Sequence, residues 1–357
     1  MPASLLNLAA TQLGQVTIVL AVVALLHRVL ADRAPRLMAG LWTVAAIKAV
    51  TPPLVASPLG LFSWAQASGV AAAAPVSGPV VIDWTGGGEG WVSFWLTTAV
   101  AVWLTGALLM TGATLLERRR LQRLLSRDTI PADDPLHRYV VGLAERYRLC
   151  PPHAVVVSKD ELGPAIAGVR RPTVILPSRL VTDQDPSVLR PILLHELVHT
   201  TRRDTLSAWL LTAVRVVWWF HPLAWWSAKL AEGLVERCVD LTVTRELQTS
   251  LADYGRSLLR VLELRAELSP RSQLASLRPC QITTDRINFL RTTDTASRRL
   301  ASSNWIGAVG RWCVCGVAAA VLLPALPVDA LSARCEPGVP CSAAAEAARP
   351  IASPDAA

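Results

Sequence analysis

Two histidines four residues apart, with a glutamate directly after the first, stand in the stretch "ILLHELVHTTRRD" (192–204). On a helix this spacing puts His195 and His199 on one face, about 5–6 Å apart at Cβ. Both imidazoles could then offer a nitrogen to a single Zn²⁺ at roughly 2.0–2.1 Å. Glu196 projects beside that face, where it could take a proton from a water activated by the ion, while the ion polarises a scissile carbonyl. Catalytic zinc needs a third protein ligand and an open position. Glu236, in "VERCVD" (235–240), is the candidate ligand. Asp240 lies four residues further along the same helical face, where it could orient a ligand imidazole from behind. An ordinary helix with solvated His and Glu carries the same five-residue pattern, so the rest of the chain must decide. The apolar setting "ILLHELV" favours the metal, because His and Glu there are costly without partners.

The elements that position these residues face a geometric condition. If 205–235 crossed a membrane once, Glu236 would end on the opposite side from His199 and could not share an ion with it. The "FHP" at 220–222 breaks a helix naturally. The expected element is therefore a helical hairpin that dips into the cytosolic membrane surface and returns. Trp209, Trp218, Trp219, Trp225 and Trp226 cluster on it, as in an interfacial element, and Arg215 argues against a lipid-exposed span. A buried Trp-rich core hairpin predicts the same turn. Upstream, "HAVVVS" (153–158) and "AIAGVRRPTVILP" (165–177) are rich in β-branched residues and broken by Gly and Pro, so short strands are expected. "AIAGV" is either a plain sheet edge or an edge that pairs with an extended peptide. Asp185 or Ser187 is the expected N-cap of the His195 helix.

Composition sets the surroundings. Of 357 residues, 52% are hydrophobic and only 17% charged, and the mean hydropathy is +0.38. That is too apolar for an ordinary soluble domain and points to a membrane protein. Four segments approach the roughly 20 residues a spanning helix needs: Leu5–Leu26, Leu37–Val55, Trp91–Leu116 and Ile306–Leu326. The net charge of +8 sits in "HRVLADRAPR", "ERRRLQRLLSR" and "TASRRLASSNW", beside the apolar segments, while residues 57–90 hold no Lys or Arg. The positive-inside rule then puts both termini outside and 117–305 in the cytosol. Direct nucleic-acid binding is not expected. "MPASLLN" lacks a positive n-region, so the first segment reads as a retained helix rather than a signal peptide. The expected organisation is 1–116 with three spans, 117–305 as a cytosolic peptidase domain, 306–327 as a fourth span, and 328–357 as a short disordered tail outside. His27, His137 and His153 read as loop or surface residues, His221 as a turn residue before Pro222, and Arg298–Arg299 as a topology anchor.

"HELVHTTRRD", "WWFHPLAWW" and "ERCVD", after three apolar segments and before a fourth, resemble the BlaR/MecR-type antirepressor membrane metallopeptidases. The resemblance covers about residues 5 to 325. It implies a polytopic helical membrane protein with an inserted cytosolic α/β zincin-like domain, Zn²⁺ as cofactor, His195, His199 and Glu236 as ligands, and Glu196 as catalytic base. It also implies a protein substrate, a winged-helix transcriptional repressor, cleaved in response to an envelope signal. Members commonly place Cys immediately before the Asp. Here Val239 stands between Cys238 and Asp240, with the Glu-to-Asp spacing preserved. The best-known members carry a penicillin-binding sensor after the fourth span. Here about thirty residues follow it, and they contain no S-x-x-K, so input is expected through the spans, the 57–90 loop or a partner. A housekeeping membrane protease of the HtpX type also combines the two motifs, although "WWFHPLAWW" favours the antirepressor type. A receptor or scaffold with a structural metal would have no use for Glu196.

Seven cysteines show no C-x-x-C pair. Cysteine-accessibility labelling of intact cells is expected to find Cys335 and Cys341 outside and bridged to each other, with Cys150 and Cys280 inside. Labelling of Cys280 from outside would overturn the four-span topology.

Overall fold

The computed structural model describes residues 2–51, 89–158, 163–182, 186–246 and 248–266, Arg286, and 313–319. The apolar N-terminal segments form helices, which bond their backbone groups within the segment. They are α1 (Pro2–Leu30), α2 (Pro35–Val50) and α3 (Glu89–Arg127). Pro35 opens α2 at a position where a missing N–H costs nothing. α3 has 39 residues, about 58 Å at 1.5 Å per residue, so it runs well past the expected span end at Leu116. Its apolar part faces outward, with Leu108 and Leu109 about 70% exposed. Among the described residues, two helices are long and apolar enough to cross a membrane, Ala9–Leu30 and Phe94–Arg123. The expected second span is a shorter helix of 16 residues ending at Val50, and 52–55 lie outside the described residues. The fourth span is described only over 313–319, which is helical. Cys335, Cys341 and Cys280 also lie outside them.

After α3 the polar unit begins with α4 (Pro135–Arg146). Asp134 caps it by accepting from the Leu136 N–H at 2.8 Å. The β-branched stretches form three strands, β1 (Ala154–Ser158), β2 (Ala165–Ala167) and β3 (Thr173–Pro177), in the order β1-β3-β2. β1 pairs parallel with β3, Val156 opposite Ile175. β2 pairs antiparallel with β3, Ile166 opposite Val174. Gly168 turns the chain between β2 and β3 at φ +88°, where a Cβ would run into the Arg171 carbonyl. A short α5 (Ser178–Thr182) leads to α6 (Pro186–Arg202), the helix of His195 and His199. Because α6 opens at Pro186, Ser187 lies in its first turn rather than capping it. Asp185 is outside the described residues. Leu193, Leu197, Val174, Val140 and Tyr254 close one core around α6.

The helix–turn–helix of the expected hairpin is present. Arg203 adopts the left-handed region at φ +57°, which costs a non-glycine residue roughly 1–2 kcal/mol and turns the chain sharply from α6 into α7 (Asp204–Val217). The break at 218–221 falls on "WWFH", and α8 (Pro222–Leu241) returns with Pro222 in its first turn. The hairpin packs along α1 and α2 over their length. At one end the Trp218 indole donates to the Ala49 carbonyl at 2.8 Å, and Thr17 Oγ1 meets His221 Nε2 at 3.0 Å. At the other, Arg237 pairs with Asp32 at 2.7 Å and Arg36 donates to Thr242 Oγ1 at 3.3 Å. Leu211, Val214, Trp218, Ala224, Ala228 and Leu234 thus join a second core with Val16, Leu20, Trp42 and Ala45. Val239, at the far end of α8, belongs to the first core. A π-helical turn (Thr242–Glu246) follows, and α9 (Leu251–Ala266) packs back onto α6.

Within the hairpin, Arg215 Nη2 and Glu232 Oε1 pair at 2.7 Å, Arg215 being 8% exposed. Glu232 lies one turn before Glu236, so the pair fixes α8 against α7 close to the site. Breaking a buried pair on one side costs about 3–5 kcal/mol, and the partial exposure of Glu232 puts this pair at the lower end. Glu232→Ala is expected to lower the melting temperature of the detergent-solubilised protein, and the swapped pair Arg215→Glu with Glu232→Arg to recover much of the loss. A swap no more stable than the single variant would show that the ion pair is not what holds the hairpin.

Candidate metal centre

His195 and His199 lie one turn apart on α6, where the Leu193 and Leu197 side chains anchor the helix in the first core. α8 brings Glu236 across to them from the other arm of the hairpin. The two Nε2 atoms face each other at 3.2 Å. Glu236 Oε2 lies 3.4 Å from His195 Nε2, and Oε1 lies 3.6 Å from His199 Nε2. Three donor sets thus converge on one point, all ligand atoms within 4.8 Å of one another. Ligands at about 2.0–2.1 Å around a tetrahedral ion stand roughly 3.3–3.4 Å apart, so the spacing fits a small divalent cation. Lone pairs converging this closely repel unless a proton or a cation lies between them.

Each imidazole is held from behind. His199 Nδ1 donates to Asp204 Oδ2 at 2.9 Å, and Arg202 Nε donates to the same oxygen at 3.1 Å. The left-handed turn at Arg203 is what brings Asp204 beneath His199. His195 Nδ1 meets the Tyr254 hydroxyl at 2.8 Å, and that hydroxyl donates to Asp240. The expected orienting role of Asp240 therefore runs through Tyr254: its Oδ1 is 3.7 Å from His195 Nδ1, too far for a direct bond. With both Nδ1 atoms engaged, both Nε2 atoms are turned to the shared point. Asp240 is fully buried and is held by Arg286, whose Nε donates to Oδ2 at 2.8 Å and whose Nη2 reaches Oδ1. Arg286 Nη1 also pairs with Glu236 Oε2 at 3.2 Å.

Glu196 is buried and lines the cleft with His199, Glu236 and Ile166 of β2, and the cleft runs on between α3 and the hairpin past Thr114 and Arg215. Burial pushes the Glu196 carboxyl above the usual carboxylate range, although the two histidines oppose the shift. Burial disfavours the charged form of Glu236 too, but His199 and Arg286 outweigh it and hold this carboxyl well below its ordinary value. For His199 burial is likewise outweighed, by Glu236 and Asp204, which raise its pKa to about 9. The two neighbouring carboxyls, Glu196 and Glu236, are therefore driven in opposite directions. That separation suits one proton carrier and one permanent anion.

Sequence reasoning brought His195, Glu196, His199, Glu236 and Asp240 to one place, and the structure places them together. Three further residues were missed. Asp204 ends the quoted "HELVHTTRRD", so its nearness in sequence was a usable signal. Tyr254 and Arg286 had none. Cys238 is buried and is not among the converging donors. His221 meets Thr17 at the hairpin tip, away from the donors.

Helices apolar enough to cross a membrane thus share one chain with a His–His–Glu group that could hold a metal. The chain belongs to the BlaR1 peptidase M56 family, whose model matches residues 6–290. It is 29% identical over 172 residues to "Regulatory protein BlaR1" of Bacillus licheniformis, covering 47% of this chain and 28% of that protein. It is 25% identical over 105 residues to the "Methicillin resistance mecR1 protein" of Staphylococcus aureus and to that of Staphylococcus epidermidis, covering 29% of this chain and 18% of each. The matches thus span less than a third of these relatives' length.

Because His199 holds a proton below about pH 9, a cation entering the centre must displace it. Zinc titrated into metal-free protein at pH 7 is expected to release about one proton per site, and apparent affinity to rise with pH up to about 9. Calorimetry in buffers of different ionisation enthalpy reads both, and a heat independent of buffer would contradict the proton-held centre.

Proposed function

We propose that the chain is a zinc endopeptidase of the cell membrane, with its active site on the cytosolic side and both termini outside. The observation that carries this reading is the convergence of His195, His199 and Glu236 on one point at the head of a cleft that Glu196 also lines. These three side chains would hold the ion. A bound Zn²⁺ supplies Lewis acidity, polarising a scissile carbonyl and making water more acidic. Glu196 takes the proton of the attacking water and returns it to the leaving amine, so that one C–N bond breaks and one C–O bond forms. Its raised pKa suits both transfers. Asp204 and Tyr254 keep the two imidazoles in the ligating tautomer. The position of β2 as the edge strand of the sheet, with Ala165 and Ile166 lining the cleft, supports pairing with an extended substrate backbone.

The substrate we propose is a transcriptional repressor of the winged-helix kind, cleaved in response to an envelope signal. The names of the relatives support this, one being a regulatory protein and the others resistance proteins. The route of the signal that we favour is the hairpin. α8 packs on the membrane helices at one end and carries Glu236 at the other, so a shift of α1 and α2 would move a metal ligand relative to His195 and His199.

Purified protein is expected to hold about one Zn²⁺ per chain, and His195→Ala, His199→Ala or Glu236→Ala to release it. Glu196→Gln should keep the zinc and lose proteolysis by about 10²–10⁴-fold, because it removes a proton carrier and not a ligand. In cells, repressor should stay intact in the Glu196→Gln strain under conditions that deplete it in wild type. Metal loss in Glu196→Gln, or repressor loss that does not need Glu196, would remove the proposal.

A further inference from the structure

Arg286 has no place in the reaction as derived so far, yet its side chain is the most deeply buried cation near the centre among the described residues, at 3% exposure. It does not belong to α6, α8 or α9, the helices that build the rest of the centre. Its guanidinium makes a two-point contact with Asp240, through Nε at 2.8 Å and through Nη2, and its remaining Nη1 reaches Glu236 Oε2 at 3.2 Å. Nη2 also lies 3.5 Å from the Tyr254 hydroxyl. Asp240 and Glu236 are one turn apart on α8, so a single planar fork spans both carboxylates on that face.

We propose that Arg286 is the positioning residue for the third metal ligand. The argument is geometric. A glutamate side chain has three rotatable torsions, and Glu236 keeps 19% of its side chain exposed toward the cleft, so packing alone does not fix its carboxylate. A donor at Nη1, itself clamped in direction by the two-point contact with a fully buried Asp240, holds Oε2 at one place beside His195. Oε1 is then left toward His199. The same guanidinium reaches the Tyr254 hydroxyl that holds His195, so one side chain sets the approach of two of the three donors. Lysine cannot substitute, because one ammonium does not span the two carboxylates in fixed directions.

The inference rests on the metal-binding reading above, and the test separates the two. Full-length protein in detergent is stripped and titrated with zinc against a chelator of known affinity. Arg286→Lys keeps the charge and loses the fork. Its zinc dissociation constant should be at least tenfold weaker than wild type. Peptide hydrolysis should lose kcat with KM little changed, while the metal-free melting temperature stays near that of wild type. Should that variant fold poorly, Arg286→Gln with Asp240→Asn removes the cation and the buried anion together and leaves no uncompensated charge. It should still bind zinc at least tenfold more weakly. An affinity loss below tenfold in the variant that folds overturns the positioning role. Wild-type protein that takes up no zinc overturns instead the reading on which it rests.

Discussion

A buried charge must be answered by another charge or a hydrogen bond, and this constraint shapes everything around α6 and α8. His195 and Asp240 are each at most 4% exposed and sit beside a core of Leu193, Leu194, Leu197 and Val239. Isolated, either of them would cost several kcal/mol. Each is answered instead: His195 by Tyr254, Tyr254 by Asp240, Asp240 by Arg286, and Arg286 in turn by Glu236. The chain of contacts begins and ends on two of the three residues that could hold a metal, His195 and Glu236. A network that is fully partnered is rigid, and rigidity is what a centre with donors about 3.2–3.6 Å apart requires.

α8 belongs to two cores, and this gives the centre its mechanical setting. Ala224, Ala228 and Leu234 pack among α1 and α2, whereas Val239 packs under α6. The small residues on the first part of α8 let it lie close to α1 and α2, as small side chains do where helices pack closely. Glu236 falls between the two regions. Its position is therefore set jointly by the first core and by the apolar bundle, whereas His195 and His199 sit on α6, whose buried side chains lie in the first core. α3 provides a second tie: the Trp103 indole donates to the Val217 carbonyl at 2.9 Å, the Trp219 indole donates to the Trp103 carbonyl at 3.2 Å, and Leu121 packs against Ile175 of β3.

The close approach at Gly106 shows how tightly this second tie is drawn. A Cβ there would fall within the indole of Trp219, so glycine is the residue that lets α3 meet the hairpin turn. Arg118 stacks over the Trp209 ring further along α3, 3.2 Å from its centroid. Such a contact serves a cation near the end of an apolar span. Two of the five hairpin tryptophans thus have specific structural partners on α3. Trp218 is buried against α2, and Trp225 and Trp226 remain about 40% exposed, so a single interfacial role does not describe the cluster.

What the sequence determined by itself was whatever depends on local spacing. Residues four apart on a helix share a face, so His195 with His199 and Glu236 with Asp240 could be paired from the chain alone. "FHP" marked the hairpin turn because proline restricts the residue before it, and β-branched runs marked the strands. Helix ends were only partly legible: α3 runs on past Leu116, since charged side chains there continue a helix that hydropathy stops counting. Of the two expected caps, Asp185 and Ser187, the second falls inside the helix, which begins at Pro186. Only the tertiary structure decided which partners stand behind the donors. Tyr254 and Arg286 are 59 and 91 positions from His195, and no period links them to it. Their place follows from how α9 folds back on α6 and from the need of a buried Asp240 for a cation, which is a property of the packed core and not of any local stretch.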